Sequence, residues 1–129
     1  MCATARPIDG LCHEVSVNDR HTIVTDEPER LGGTDLGPAP HELLAAALAA
    51  CISTVLAMYA RVRDWDLGHL RVDVGYDPRS VPRHFEVEVR LPTSLTAEQI
   101  TRLERIAASC PIRKALETGF SFEERFVPQ

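Results

Sequence analysis

The sequence predicts an α+β fold, on three observations. Leu70, Val72, Val74 and Tyr76 alternate with Arg71, Asp73 and Gly75, and Phe85, Val87, Val89 and Leu91 alternate with Glu86, Glu88 and Arg90, which is the period of two half-buried antiparallel strands. Leu43 to Ala60 is eighteen residues without a charge, a helix apolar on every side. Thr96-Ala97-Glu98-Gln99 is a capping-box pattern, with Ile100, Leu103, Ile106 and Ala107 at helical spacing behind it. At 129 residues the chain suffices for one compact core, so a single domain over residues 1–129 is expected.

The elements are read in order. Cys2 is taken to lie in a frayed terminus. Leu11–Asn18 and His21–Asp26, separated by Asn18-Asp19-Arg20, predict a hairpin. Glu27 to Pro40 is dense in proline and glycine and reads as a loop. Pro38 and Pro40 then punctuate the start of a helix from about His41, and Gly68 lies beyond its far end. At ~100° per residue, Leu44, Ala47, Leu48, Val55 and Met58 project on the side of Cys51. Ala45, Ala46, Ala49, Ala50 and Ala57 leave much of the remaining surface open to close approach by other backbones.

This uncharged run has the length of a membrane span. Its alanine-rich composition, its Cys51, Ser53 and Thr54, and its closure by Glu42 and Arg61 without aromatic belts favour the central helix of a soluble protein. Asp77 to Pro82 is a loop by its prolines. The helix from Thr96 ends near Ser109. Pro111 suits the first position of another helix, which makes Cys110 its N-cap, and Gly119 stops it after Thr118. A last strand, Phe120 to Val127, completes the order.

Composition narrows the function. The formal charge is −5, with lysine and arginine dispersed as single residues or pairs, so no basic stripe is available for nucleic acid. The N-terminal stretch has no apolar run of signal-peptide length, which predicts a cytoplasmic protein. The cysteines at 2, 12, 51 and 110 show neither dense secreted-type spacing nor a C-x-x-C pair. In a reducing compartment they are structural, catalytic or metal-bound.

A thiol reacts as its thiolate, so each cysteine is judged by what lowers its pKa or supplies a partner. As an N-cap, Cys110 meets free backbone N–H groups and the positive end of a helix dipole, with Arg113 and Lys114 adjacent. A small capping residue is the equal alternative. Cys51 sits among apolar residues, which disfavours its charged form. By itself it reads as core filler, and it becomes a nucleophile only if a cation is delivered to it, for which arginine is best suited. Cys12-His13 would need further metal ligands from distant positions, so no metal is expected. Ser53 and Thr54 lie in no nucleophile elbow. Leu31-Gly32-Gly33-Thr34 forms no phosphate cradle.

Three stretches carry a resemblance. Asp26-Glu27-Pro28, the run Gly32-Gly33-Thr34-Asp35-Leu36-Gly37-Pro38-Ala39-Pro40-His41-Glu42-Leu43-Leu44 leading through alanines to Cys51, and Ser109-Cys110-Pro111 together resemble the OsmC/Ohr family from about Thr22 to Val127. The resemblance implies an intertwined homodimer with antiparallel sheets wrapped around long buried central helices and thiol sites at the subunit interface. It implies a peroxidase that reduces organic hydroperoxides with no cofactor, in which Cys51 is the peroxidatic thiol, Cys110 the resolving one, and an external dithiol the reductant.

Two departures accompany it. In the family's peroxidases a glutamate ten residues before the peroxidatic cysteine holds an activating arginine, whereas here that position is His41 and Glu42 follows it. The family's arginine comes from the N-terminal hairpin. Arg20 is the candidate here, with Arg6 and Arg30 as substitutes. The alternative function is a non-catalytic or weakly active member that binds or senses through the same thiols.

Overall fold

A computed structural model describes residues 1–129. Its elements are β1 (Ala3–Asp9), β2 (Cys12–Val17), β3 (His21–Thr25), a single 3-10 turn (Glu29–Leu31), α1 (Pro40–Val62), β4 (Arg71–Tyr76), β5 (Phe85–Arg90), α2 (Ala97–Ala108) and α3 (Pro111–Thr118). The α+β class is observed, with antiparallel sheets and one long helix. Residue contacts gather the chain into two compact units, Met1–Ala46 with Tyr76–Phe85, and Ala47–Gly75 with Glu86–Gln129.

The first unit is built on a three-stranded sheet in the order β1-β2-β3. The predicted hairpin is β2–β3, paired from His13↔Thr25 to Val17↔His21. Asn18 and Asp19 both take φ of 53°, the left-handed pair that matches hairpin twist and that Asn and Asp tolerate. The Arg20 N–H closes the turn on the Val17 carbonyl at 3.1 Å. The N-terminus is a strand and not a frayed end: β1 pairs with β2 from Ala3↔Val17 to Asp9↔Cys12, with a register shift between Pro7 and Asp9. Pro7 hid this strand in the sequence, yet proline is compatible with an outer strand and a bulge.

Buried groups in this unit are few and partly polar: Cys12, Thr25, Asp26 and Ala39. Asp26, 2% exposed, organises the proline- and glycine-rich segment. Its carboxylate accepts hydrogen bonds from the Glu27 N–H (2.8 Å), the Thr34 N–H (3.2 Å), the Thr34 hydroxyl (2.6 Å) and the Leu36 N–H (3.2 Å). Two glycines let the loop close on itself, because a side chain at Gly33 would overlap the Glu27 carbonyl and one at Gly37 the Val24 carbonyl.

The second unit holds the larger apolar core. Leu48, Ile52, Leu56 and Ala60 form the buried stripe of α1, joined in burial by Leu67, Leu103 and Cys110. The 3.6-residue repeat brings i, i+4, i+8 and i+12 onto one face. That face is offset from the predicted one: Leu44 and Met58 are exposed, and Cys51 is only half-buried at the stripe's margin. β4 and β5 pair as the sequence alternation requires. The capping box is complete, with the Gln99 N–H donating to Thr96 Oγ1 (3.1 Å) and the Thr96 N–H donating to Gln99 Oε1 (2.8 Å).

One predicted element is missing. Phe120 to Val127 forms no strand, and Phe120, Phe122, Phe126 and Val127 are all exposed. Alternating apolar residues specify a strand only when an edge is available to pair with. Within its own chain this segment pairs with none.

Candidate active site

The second unit brings two of the four cysteines together. Cys51 lies on α1 after the alanine run, and Cys110 lies between α2 and α3. The Ser109 N–H ends α2 on the Arg105 (3.2 Å) and Ile106 (3.0 Å) carbonyls. Pro111 then takes the first position of α3, as the sequence predicts, and Cys110 is the N-cap with φ −50° and ψ 126°. Its carbonyl accepts the Lys114 N–H at 3.0 Å, while its sulfur makes no capping hydrogen bond. Cys110 is 0% exposed. Arg113 does not turn to the thiols: its Nε donates to Glu117 Oε1 at 2.8 Å on the next turn.

Both thiols are free, and Cys110 is the neighbouring titratable group that acts on Cys51. Burial pushes the Cys51 thiol up first, the hydrogen bond with Cys110 and the nearby Cys110 charge push it further, and a hydrogen bond from the Ile112 backbone N–H pulls it down. No cation is among the groups that act on it within the chain. Cys51 keeps partial access to solvent, whereas Cys110 is sealed.

The other candidates sit elsewhere in the sequence order. The Glu42 carboxylate accepts the Ala39 N–H at 3.2 Å, a contact within the first turn of α1. The His41 ring packs on Tyr76 with centroids 5.8 Å apart, and Tyr76 packs on Phe85 at 4.7 Å. This aromatic trio was not read from the sequence as a unit, because the partners of His41 come from the ends of β4 and β5. Arg6 is in β1, Arg20 in the β2–β3 turn and Arg30 in the 3-10 turn, and none of the three has an ion-pair partner in the chain.

The remaining cysteines are of a different kind. Cys12 is buried, and burial with the charges of Asp26 and Asp9 pushes its thiol up. Cys2 is exposed, with its N–H donating to Asn18 Oδ1 at 2.9 Å.

Asp26 yields a prediction. The Thr34 hydroxyl above all, then the N–H groups of Glu27, Leu36 and Thr34, hold its carboxyl below the usual carboxylate range against the cost of burial. A depressed folded-state pKa stabilises the fold above the unfolded value and loses that contribution as pH falls through the folded one. Asp26→Asn is expected to lower the melting temperature by several degrees at neutral pH. The gap from wild type should close below roughly pH 4, the ordinary carboxylate value, as thermal melts from pH 2 to 8 would record.

Comparison places the chain in a family. A family model described as OsmC-like protein matches residues 33–125. Among solved structures, a Psychrobacter arcticus protein assigned to osmotic stress and detoxification responses superposes with a TM-score of 0.75 at 22% identity, covering 87% of this chain and 85% of its own. A Legionella pneumophila organic hydroperoxide resistance protein, OsmC, gives 0.63 at 24% identity over 89% and 87%. An organic hydroperoxide resistance protein from Elizabethkingia anophelis gives 0.61 at 25% identity over 87% and 84%. No curated protein matches. The family match spans most of the chain, including both segments that place Cys51 and Cys110, and the fold agrees with it: the chain belongs to the OsmC-like family.

Proposed function

We propose that this protein is a cytoplasmic, homodimeric, thiol-dependent peroxidase that reduces organic hydroperoxides and is regenerated by an external dithiol. The observation that carries the reading is the pairing of a half-exposed Cys51 with a fully buried Cys110, both reduced. The names of the Legionella and Elizabethkingia proteins support the substrate class.

The chemistry follows from the pair. Cys51 thiolate attacks the distal oxygen of the hydroperoxide, the O–O bond breaks, and the departing alkoxide takes a proton to leave as an alcohol. Cys51 is then a sulfenic acid. The Cys110 sulfur displaces its hydroxyl as water and forms a Cys51–Cys110 disulfide, and a dithiol reduces that disulfide by exchange. Neither metal nor cofactor enters this scheme.

Ionising Cys51 at neutral pH asks for more than its own chain supplies, because burial and Cys110 both oppose the charge. In this reading a guanidinium arrives with the second subunit, from Arg20 or else from Arg6 or Arg30. The apolar residues of α1 that remain exposed, Leu44, Met58 and Val62, are the surface that such a subunit would cover. Purified protein is expected to consume cumene hydroperoxide in the presence of a dithiol, and substituting alanine at Arg6, Arg20 and Arg30 in turn should identify the one whose loss slows the reaction. If wild-type protein turns over no hydroperoxide with any dithiol tried, the enzyme reading fails.

A second reading rests on two observations. Glu42 spends its carboxylate on the Ala39 N–H, and no cation acts on Cys51 within the chain. A non-catalytic member would keep the thiol pair as a binding or redox-sensing device. Robust turnover excludes it.

A further inference from the structure

A hollow lies at the C-terminal end of α1, and the way the helix stops creates it. Asp64 takes φ of 54°, the left-handed position that closes a helix. The Trp65 N–H then returns to the Ala60 carbonyl at 2.9 Å, and the Asp64 N–H reaches the Arg61 carbonyl at 3.4 Å. This pair of bonds brings Trp65 back beside the last turn, where Tyr59 meets its ring edge-on with centroids 5.7 Å apart. A second turn follows at Gly68, which has φ of 53° and donates its N–H to Asp66 Oδ1 at 2.7 Å. The enclosed space is about 220 Å³, lined by Ala57, Ala60, Arg61, Trp65, Leu67 and Leu70. Ala60 and Leu67 are buried and Trp65 is half-buried, so the walls are fixed by the fold.

We propose that this hollow binds a small aromatic carboxylate, with its ring against Trp65 and its carboxylate on the Arg61 guanidinium. Size selects the ring. An apolar cavity of about 150 Å³ accepts benzene, and drug-sized ligands ask for about 300 Å³ or more, so the space suits one ring with one short substituent. The two alanines keep it open, and an indole face favours an aromatic neighbour.

Charge selects the substituent. Two arginines stand near this helix end, and Arg63 is engaged: its Cζ lies 3.5 Å from the centre of the Tyr59 ring, and its Nη1 donates to the Tyr59 carbonyl at 3.4 Å. Arg61 has no ion-pair partner in the chain. It is the cation left to meet a ligand, and a guanidinium matches the two oxygens of a carboxylate.

The hollow also faces away from the surface that a second subunit would cover. At ~100° per residue, Leu44, Cys51, Met58 and Val62 fall within roughly 40° of one another around α1, whereas Ala57, Ala60 and Arg61 centre roughly 130° further round. The thiol and the exposed apolar residues are on one side of the helix, and the hollow is on another.

Trp65 is the only tryptophan of the chain, so its fluorescence reports on the hollow alone. Titrating the full chain with benzoate should change the emission saturably, with half-saturation at about 1 mM or below. Benzamide, which has the ring without the charge, should bind about fivefold more weakly, the size of one net hydrogen bond. Arg61→Gln should weaken benzoate by the same factor and leave benzamide unchanged. Ala57→Leu, at an exposed position on the wall, should fill the space and abolish both responses. The proposal is overturned if wild-type protein gives no saturable response, if benzoate and benzamide bind equally, or if folded Arg61→Gln keeps full affinity for benzoate. A Trp65 that is shielded from acrylamide until the protein is diluted would also overturn it, because a second copy would then occupy the hollow. None of these readouts involves the thiols, so loss of the peroxidase reading leaves this one standing.

Discussion

Cys51→Ser is expected to reduce hydroperoxide turnover to the level of the buffer. The hydroxyl is nearly the same size and Cys51 is only half-buried, so the fold should survive, but a serine in this setting has no base beside it to make it a nucleophile. Cys110→Ser is expected to behave differently. Its first encounter with hydroperoxide should proceed and release alcohol, and the Cys51 sulfenic acid should then persist, because the thiol that removes it is gone. Mass spectrometry of peroxide-treated protein with a sulfenic-acid trap distinguishes the two: label on Cys51 in Cys110→Ser, a Cys51–Cys110 crosslink in wild type, neither in Cys51→Ser. A Cys51→Ser protein with undiminished turnover would remove the whole scheme. The sequence of events depends on Cys110 neighbouring Cys51 with both thiols free.

Leu56→Ala is expected to be the most costly single truncation in α1. Leu56 is 1% exposed at the centre of the stripe Leu48, Ile52, Leu56 and Ala60, and removing a buried leucine side chain costs about 2–5 kcal/mol through lost transfer energy and the cavity left behind. Urea denaturation of variant and wild type would measure it. Met58→Ala provides the contrast, since Met58 is 64% exposed in the isolated chain. If α1 is covered by a second subunit, Met58→Ala weakens the dimer, and the unfolding midpoint becomes more dependent on protein concentration. With no such subunit its effect should stay within about 0.5 kcal/mol, the usual range for surface changes.

Local rules were enough for several parts of this molecule. Period-two alternation gave β4 and β5, because half-burial imposes that period whatever the topology. The Thr96–Gln99 box gave the start of α2 to the residue, since a cap needs only four neighbours in sequence. Pro111 and Gly119 bounded α3 for the same reason. The motif context of Cys51 and Cys110 pointed to a redox pair. Elsewhere the decisive partner lay far away in the chain or outside it. β1 is a strand only because β2 is beside it, and Pro7 masks its propensity. Phe120 to Val127 has a strand's pattern but no edge in its own chain to pair with. The face that α1 buries is offset from the one the helical wheel suggested, because neighbouring elements choose among the sides of a helix that is apolar all round. Sequence alone determined β2 to β5, the three helices and the candidate thiols, whose signals are short-range sterics, capping and hydrophobic period. Tertiary structure decided which sulfur is sealed and which is open, because burial depends on groups that meet only after the chain has folded.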